Sequence, residues 1–189
     1  MSRGLIPEDH PVSFPAARST AMREADVVLV VGTRLNWMMN YGKRFNPSAR
    51  IIQIDIDESE LGHNQNIELG IFGDARAVMA QFNEVADGNR LDIAGALESP
   101  WVVNLRQADE DRLARSAQIL NSDQTPIHPL RLCKEITEFL VRDAIVSVDG
   151  NEILHFGRQS IPTYYPGHRL NSCLLYTSDA ADERSSVDL

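Results

Sequence analysis

Five apolar residues in a row, VVLVV at 27–31, end on Gly32. An apolar run of that length without polar alternation marks a strand covered on both faces, as in a parallel sheet. RIIQIDID (50–57) predicts a second strand and LGIFGD (69–74) a short third. Between and after these runs the period changes. AARSTAMREA (16–25) reads as a short amphipathic helix, and TRLNWMMNYG (33–42) begins as a loop and turns helical. ARAVMAQFNEVADG (75–88) sets Ala77, Val78, Phe82 and Val85 at helical spacing, with Asp74 as N-cap and Gly88 as stop. Strands separated by helical segments predict an α/β fold, a parallel sheet with crossover helices. The run VVLVV looks central and calls for a neighbour on each side, because a bare edge leaves unpaired backbone groups beside apolar faces.

The pattern then lengthens. GLIPEDHPVSFP (4–15), with three prolines, precedes the first helix as an ordered loop. NRLDIAGALESP (89–100) reads as a linker in which Ser99 caps a helix and Pro100 takes its first position. In the long charged helix that follows, Leu105, Leu113 and Leu120 are expected to point inward. A second linker, NSDQTPIHP, leads to a helix opened by Pro129, then a strand in DAIVSVDG (143–150) and a helix in NEILHFGRQSIP (151–162). The expected organisation is therefore a unit over 1–90, a helical connector over 91–125, and a second α/β unit over 126–172 that stops after one strand and one helix. Such a layout is that of a chain cut at both ends. Residues 173–189 lose all apolar periodicity. Their first eleven residues resemble the translation of a transposon-end sequencing adapter, so a non-native tail is expected there and is set aside.

Charge and cysteine content narrow the function classes. The net charge of −9 argues against nucleic acid and an anionic membrane surface as partners. Outside the tail Cys133 is the single cysteine, which excludes an internal disulfide and a cysteine-based metal site and fits a reducing, cytoplasmic setting. The apolar runs are too short to cross a bilayer. His10, His63, His128, His155 and His168 lie too far apart for metal-ligand spacing.

In an open α/β sheet, ligands bind beyond the C-terminal ends of the strands. Three such ends carry suggestive residues. Gly32 lets backbone approach a ligand, and Arg34 can pair with phosphate. Asp55 or Asp57 can accept ribose hydroxyls. Gly73 and Asp74 precede a helix N-terminus, although a plain N-cap accounts for Asp74 as well. Together these outline a nucleotide crevice, with neither standard glycine-rich phosphate loop present. Trp37, Met38 and Met39 either line a pocket or pack in the core. Asp149, Gly150, Asn151 and Glu152 form a second candidate, where a strand end meets a helix start.

The runs GLIPEDHP, AARSTAMREADVVLVVGTRLNWMMNYG, RIIQIDIDESELGHN and GIFGDARAV resemble the central domain of thiamine-diphosphate-dependent enzymes, nearest to the branch of 2-hydroxyacyl-CoA lyase and oxalyl-CoA decarboxylase and more broadly to acetolactate synthase. RLNWMMNYG is the more specific piece. VSVDGNEILHFGRQSIPTYYPGHRLNS is similar to the opening of that family's cofactor domain. The resemblance implies a Rossmann-like central domain of the DHS type, holding FAD, ADP or no nucleotide. Gly32, Arg34, Asp55, Ile56, Asp74 and Ala75 would line it. Asn151 and Glu152 would approach thiamine diphosphate, although a carboxylate beside a diphosphate is repulsive. It also implies Mg²⁺, an acyl-CoA or 2-oxo acid substrate, and a homodimer or homotetramer. The family's activating glutamate and its GDG…N metal motif have no counterpart in this sequence, so no catalytic residue is assigned and the chain is expected to be inert alone. ADVVLVVGTRL also resembles sirtuin-type deacylases, whose zinc cysteines are absent here, and a non-catalytic regulatory subunit is a further alternative.

Overall fold

A computed structural model describes residues 3–89, 91, 93–148, 155–157 and 160–171. The chain forms two compact units, Ala17–Arg106 on one hand and Met1–Ala16 with Gln107–Leu189 on the other.

In the first unit, helix α1 (Arg18–Glu24) leads into strand β1 (Val27–Val31). Strands β2 (Arg50–Asp55) and β3 (Leu69–Phe72) follow, then helix α2 (Ala75–Gly88) and the one-turn helix α3 (Ile93–Ala96). All pairing is parallel and the order is β1-β2-β3. Within this three-stranded sheet β2 takes the middle, and β1 has a paired strand on one side only among the described residues. Val27 and Leu29 of β1 are exposed, whereas Ile51, Gln53, Ile54 and Asp55 of β2 are buried. Val30, Leu35, Phe45 and Ile51 form the core, with Met22, Val28, Met39 and Ile67 packed on it.

The segment Trp37–Gly42 is 3-10 rather than α, and Asn40 and Tyr41 both sit at positive φ, 49° and 54°. Gly42 follows at 73°. A Cβ on Gly42 would lie 2.5 Å from Cγ of Gln65, whose Nε2 donates to the Tyr41 carbonyl at 2.6 Å. Only glycine satisfies both the backbone angle and that close approach.

Helix α4 (Pro100–Leu120) starts as expected, with the Val102 amide donating to Ser99 Oγ at 3.4 Å. Leu105 is buried, but Leu113 is 55 % exposed. Its inward orientation is therefore overturned: a leucine at helical spacing is covered only where another element faces it. The same holds on α2, where Val78 is buried while Phe82 and Val85 are exposed.

In the second unit, helix α5 (Pro129–Phe139) buries Leu130 and Cys133, and its N-cap is His128, whose Nδ1 accepts from the Leu130 amide at 3.1 Å. Strand β4 (Val146–Val148) pairs in parallel with a strand that the sequence pattern did not announce, β5 (Arg169–Asn171). The expectation of a single strand there is corrected accordingly. The segment 3–16 belongs to this unit and is tied down by the Glu8 amide on the Thr163 carbonyl, by Asp9 on Arg142, and by the Ala16 amide on Asp109.

Candidate functional site

The register of the first sheet brings three strand ends to one edge. Val31 faces Ile54, and the Gly32 amide prolongs that ladder by donating to the Ile54 carbonyl at 2.8 Å. Asp55 faces Phe72, and the Gly73 amide donates to the Asp55 carbonyl at 3.0 Å. Gly32, Asp55, Ile56, Gly73 and Asp74 thus share the C-terminal edge, with Ala75 opening α2 behind it.

Each residue has a definite local role. Gly32 adopts φ +56°, and the space a Cβ would occupy is open. Asp55 is buried, and its Oδ1 accepts from the Asp57 amide at 3.0 Å. Ile56 is 69 % exposed. Asp57 caps a 3-10 turn (Glu58–Glu60), accepting from the amide and hydroxyl of Ser59 at 3.0 and 2.7 Å. These bonds hold its carboxyl below the ordinary range. Asp74 caps α2, accepting from the Ala77 amide at 3.0 Å. Arg34 pairs with Glu60 at 3.0 Å and is largely exposed.

This edge is rich in carboxylates, and one of them already occupies the anion position at the N-terminus of α2. Its chemistry suits hydroxyl donors and a flat apolar group, for which Ile56 is an exposed surface, with Arg34 as the one cation among the predicted residues. Of the aromatic and sulfur residues considered, Met39 packs on the core and Trp37 stays 66 % exposed. The side chain of Met38 lies outside the description, as do Asp149, Gly150, Asn151, Glu152 and residues 172–189.

Sequence reasoning missed Gln53. Its Nε2 donates to the Glu60 carbonyl at 2.9 Å and its Oε1 accepts from the Gly62 amide at 3.0 Å. The signal was available: a long amide inside an otherwise apolar strand has to find partners once buried.

Residues 1–82 match the family model described as the central domain of thiamine pyrophosphate enzymes. The chain belongs to that family. Human 2-hydroxyacyl-CoA lyase 1 is 32 % identical over 174 residues, 91 % of this chain and 30 % of the human protein. The acetolactate synthase large subunit of Mycobacterium tuberculosis is 31 % identical over 172 residues, with the same two coverages. Oxalyl-CoA decarboxylase of Escherichia coli K12 is 28 % identical over 174 residues, 90 % of this chain and 30 % of that protein. The chain spans about a third of the length of the curated relatives it matches. These matches favour the thiamine pyrophosphate family over the sirtuin-like alternative. The α/β fold expected from the sequence is present, and among the described residues no helix is long and apolar enough to cross a membrane.

Proposed function

We propose that this chain is a section of a thiamine-diphosphate-dependent enzyme that cleaves or forms a carbon–carbon bond next to the carbonyl of a 2-hydroxyacyl-CoA or 2-oxo acid. One observation carries the reading. Relatives named for lyase, synthase and decarboxylase chemistry align with about nine-tenths of the chain, well past the central-domain match. In this reading 1–90 is central-domain sequence, 91–125 a connector, 126–172 the opening of the cofactor domain and 173–189 a non-native tail. The compact units divide elsewhere, at Ala16 and Arg106.

Thiamine diphosphate, with Mg²⁺ on its diphosphate, supplies the carbanion chemistry when bound. This chain's own part is binding and shape. Asn151 and Glu152 would approach the diphosphate. At the first sheet's edge, Asp55 would take ribose hydroxyls, Ile56 the face of an adenine, and Arg34 a phosphate of FAD or ADP, with Gly32, Asp74 and Ala75 shaping the walls. The holoenzyme would be a cytoplasmic homodimer or homotetramer.

The test has two arms. The purified chain, given thiamine diphosphate and Mg²⁺, is expected to turn over no 2-hydroxyacyl-CoA, oxalyl-CoA or 2-oxo acid. The gene read past codon 172 is expected to encode a GDG…N run, and the protein so encoded to consume one of those substrates only with the cofactor present. Turnover by the short chain refutes inertness; a full product with no cofactor-dependent turnover refutes the whole reading.

A further inference from the structure

We propose a second anion site in the first unit, away from the strand-end crevice, that takes a phosphate-bearing anion with at least two negative charges. It is an open cavity of about 530 Å³ between helix α1 and the loop that enters β2. Ser19 and Arg23 line it from α1, and Lys43, Arg44, Phe45 and Asn46 from the loop.

The local structure explains why these residues meet. Ser19 and Arg23 stand four apart, on one face of α1. The Asn46 amide donates to the Met22 carbonyl at 2.9 Å, which fastens the loop to the last turn of that helix. Phe45 is buried in the core cluster, so the residues flanking it are held at the surface. The loop is closed by the Phe45 amide on the Gly42 carbonyl and by the Ser48 amide on Asn46 Oδ1. The scaffold is therefore hydrogen-bonded and core-anchored, and the long basic side chains project from it. Because the loop leads into Arg50, the first residue of β2, the cavity lies towards the N-terminal ends of the strands, opposite the edge that carries Gly32 and Asp55.

The charge pattern points to the ligand. Three cations line the cavity and no carboxylate does. Among the described residues, Arg23, Lys43 and Arg44 have no ion-pair partner, in a chain whose net charge is −9. Lys43 has only the face of Tyr41, at 5.9 Å. Glu24, the acid next to Arg23, accepts instead from Asn104 Nδ2 at 3.2 Å. Like charges gathered in a concavity repel one another and raise the local concentration of counter-ions. Two guanidinium forks, one ammonium, the Ser19 hydroxyl and the Asn46 side-chain amide match phosphate oxygens in donor type and charge. A singly charged carboxylate would neutralise only one of the three.

The experiment uses the full chain at low ionic strength, with inorganic pyrophosphate, ADP and adenosine as separate probes, read by melting temperature and by amide chemical shifts. Pyrophosphate and ADP are expected to raise the melting temperature and to move the amides of Ser19, Lys43, Arg44 and Asn46, and adenosine to leave those four amides in place. The triple variant R23A/K43A/R44A should weaken pyrophosphate binding at least tenfold. K43R, which keeps the charge, should retain it, and R34A, in the strand-end crevice, should leave it unchanged. Pyrophosphate binding that survives the triple variant, or that is lost in R34A, overturns the proposal, as does the absence of any binding. Because adenosine and R34A report on the other edge, failure here is distinguishable from failure of the nucleotide crevice.

Discussion

Gln53 and Glu60 are joined across the middle strand of the sheet: the buried amide of Gln53 donates from Nε2 to the Glu60 carbonyl at 2.9 Å. Its Oε1 takes the Gly62 amide, so one side chain, 1 % exposed, fastens the whole turn after β2. That turn carries the carboxylate that pairs with Arg34. Gln53 thus holds in place the turn that carries Glu60, and with it the Arg34–Glu60 pair. Gln53→Leu leaves a carbonyl and an amide unpaired under the sheet, and groups of that kind cost about 1–3 kcal/mol each. A loss of about 2 kcal/mol or more in urea unfolding is expected. Gln53→Glu, which keeps an acceptor for Gly62 but offers Glu60 no donor, is expected to destabilise as well.

Asp74 is predicted to act first as a cap. Asp74→Ala removes the acceptor for the Ala77 amide and should lower stability by about 1 kcal/mol, while Asp74→Ser or Asp74→Asn should recover most of it. Circular dichroism during thermal unfolding reads the difference. If Asp74→Ala and Asp74→Ser are equally stable, the cap contributes nothing.

Arg142 grips Asp9 with two bonds, Nη1 to Oδ2 at 2.5 Å and Nη2 to Oδ1 at 3.1 Å, and lies 4.2 Å from the centre of the Tyr164 ring. Its hydrogen bonds hold the Asp9 carboxyl below its ordinary value near 3.8. A carboxyl lowered in the folded state adds stability that is present above that value and is lost as pH falls through the lower one. Asp9→Asn should therefore flatten the stability profile on its acid side. The pair is half exposed, so added salt should shrink the gap between variant and parent. Arg142→Lys cannot make the paired fork and should behave more like a loss than a conservative change.

Cys133 is fully buried on α5, and burial pushes its thiol above the ordinary value near 9. In the Cys173→Ser chain, a thiol reagent at pH 8 should find no reactive cysteine until urea is added, and one afterwards. The sign of the pH effect follows: the folded state keeps a proton that the unfolded chain loses. Stability is therefore intact below pH 9 and falls as pH rises above it. A rise of stability between pH 9 and 10 would contradict the buried placement.

Much of the architecture was legible along the chain. The apolar runs named β1, β2 and β3, and the spacing after Asp74 named α2 together with its cap, because strand and helix periods and capping chemistry act over a few neighbouring residues. That Gly32, Asp55 and Gly73 share one edge was readable for a related reason: in a parallel sheet, strand direction alone sends every strand end to one side. Strand β5 escaped because the three residues Arg169–Asn171 are too few to carry a period, and their strand character exists only through pairing with Val146–Val148. His128 escaped as a cap because its ring nitrogen must be brought to the helix start by the loop before it.

What the amino-acid order determined by itself is local: which segments extend, which coil, where helices begin, and that the strands run parallel. What the tertiary structure alone decided is which of those surfaces are covered. VVLVV is apolar throughout, yet in this sheet it takes an edge, with Val27 and Leu29 exposed. Leu113, Phe82 and Val85 have core spacing, yet they face outward. Gln53 is one polar residue within an apolar run, yet it ties the strand to the turn after it. Periodicity specifies the side of an element on which apolar groups lie, whereas burial depends on whether another element packs against that side, and no spacing within the element carries that information.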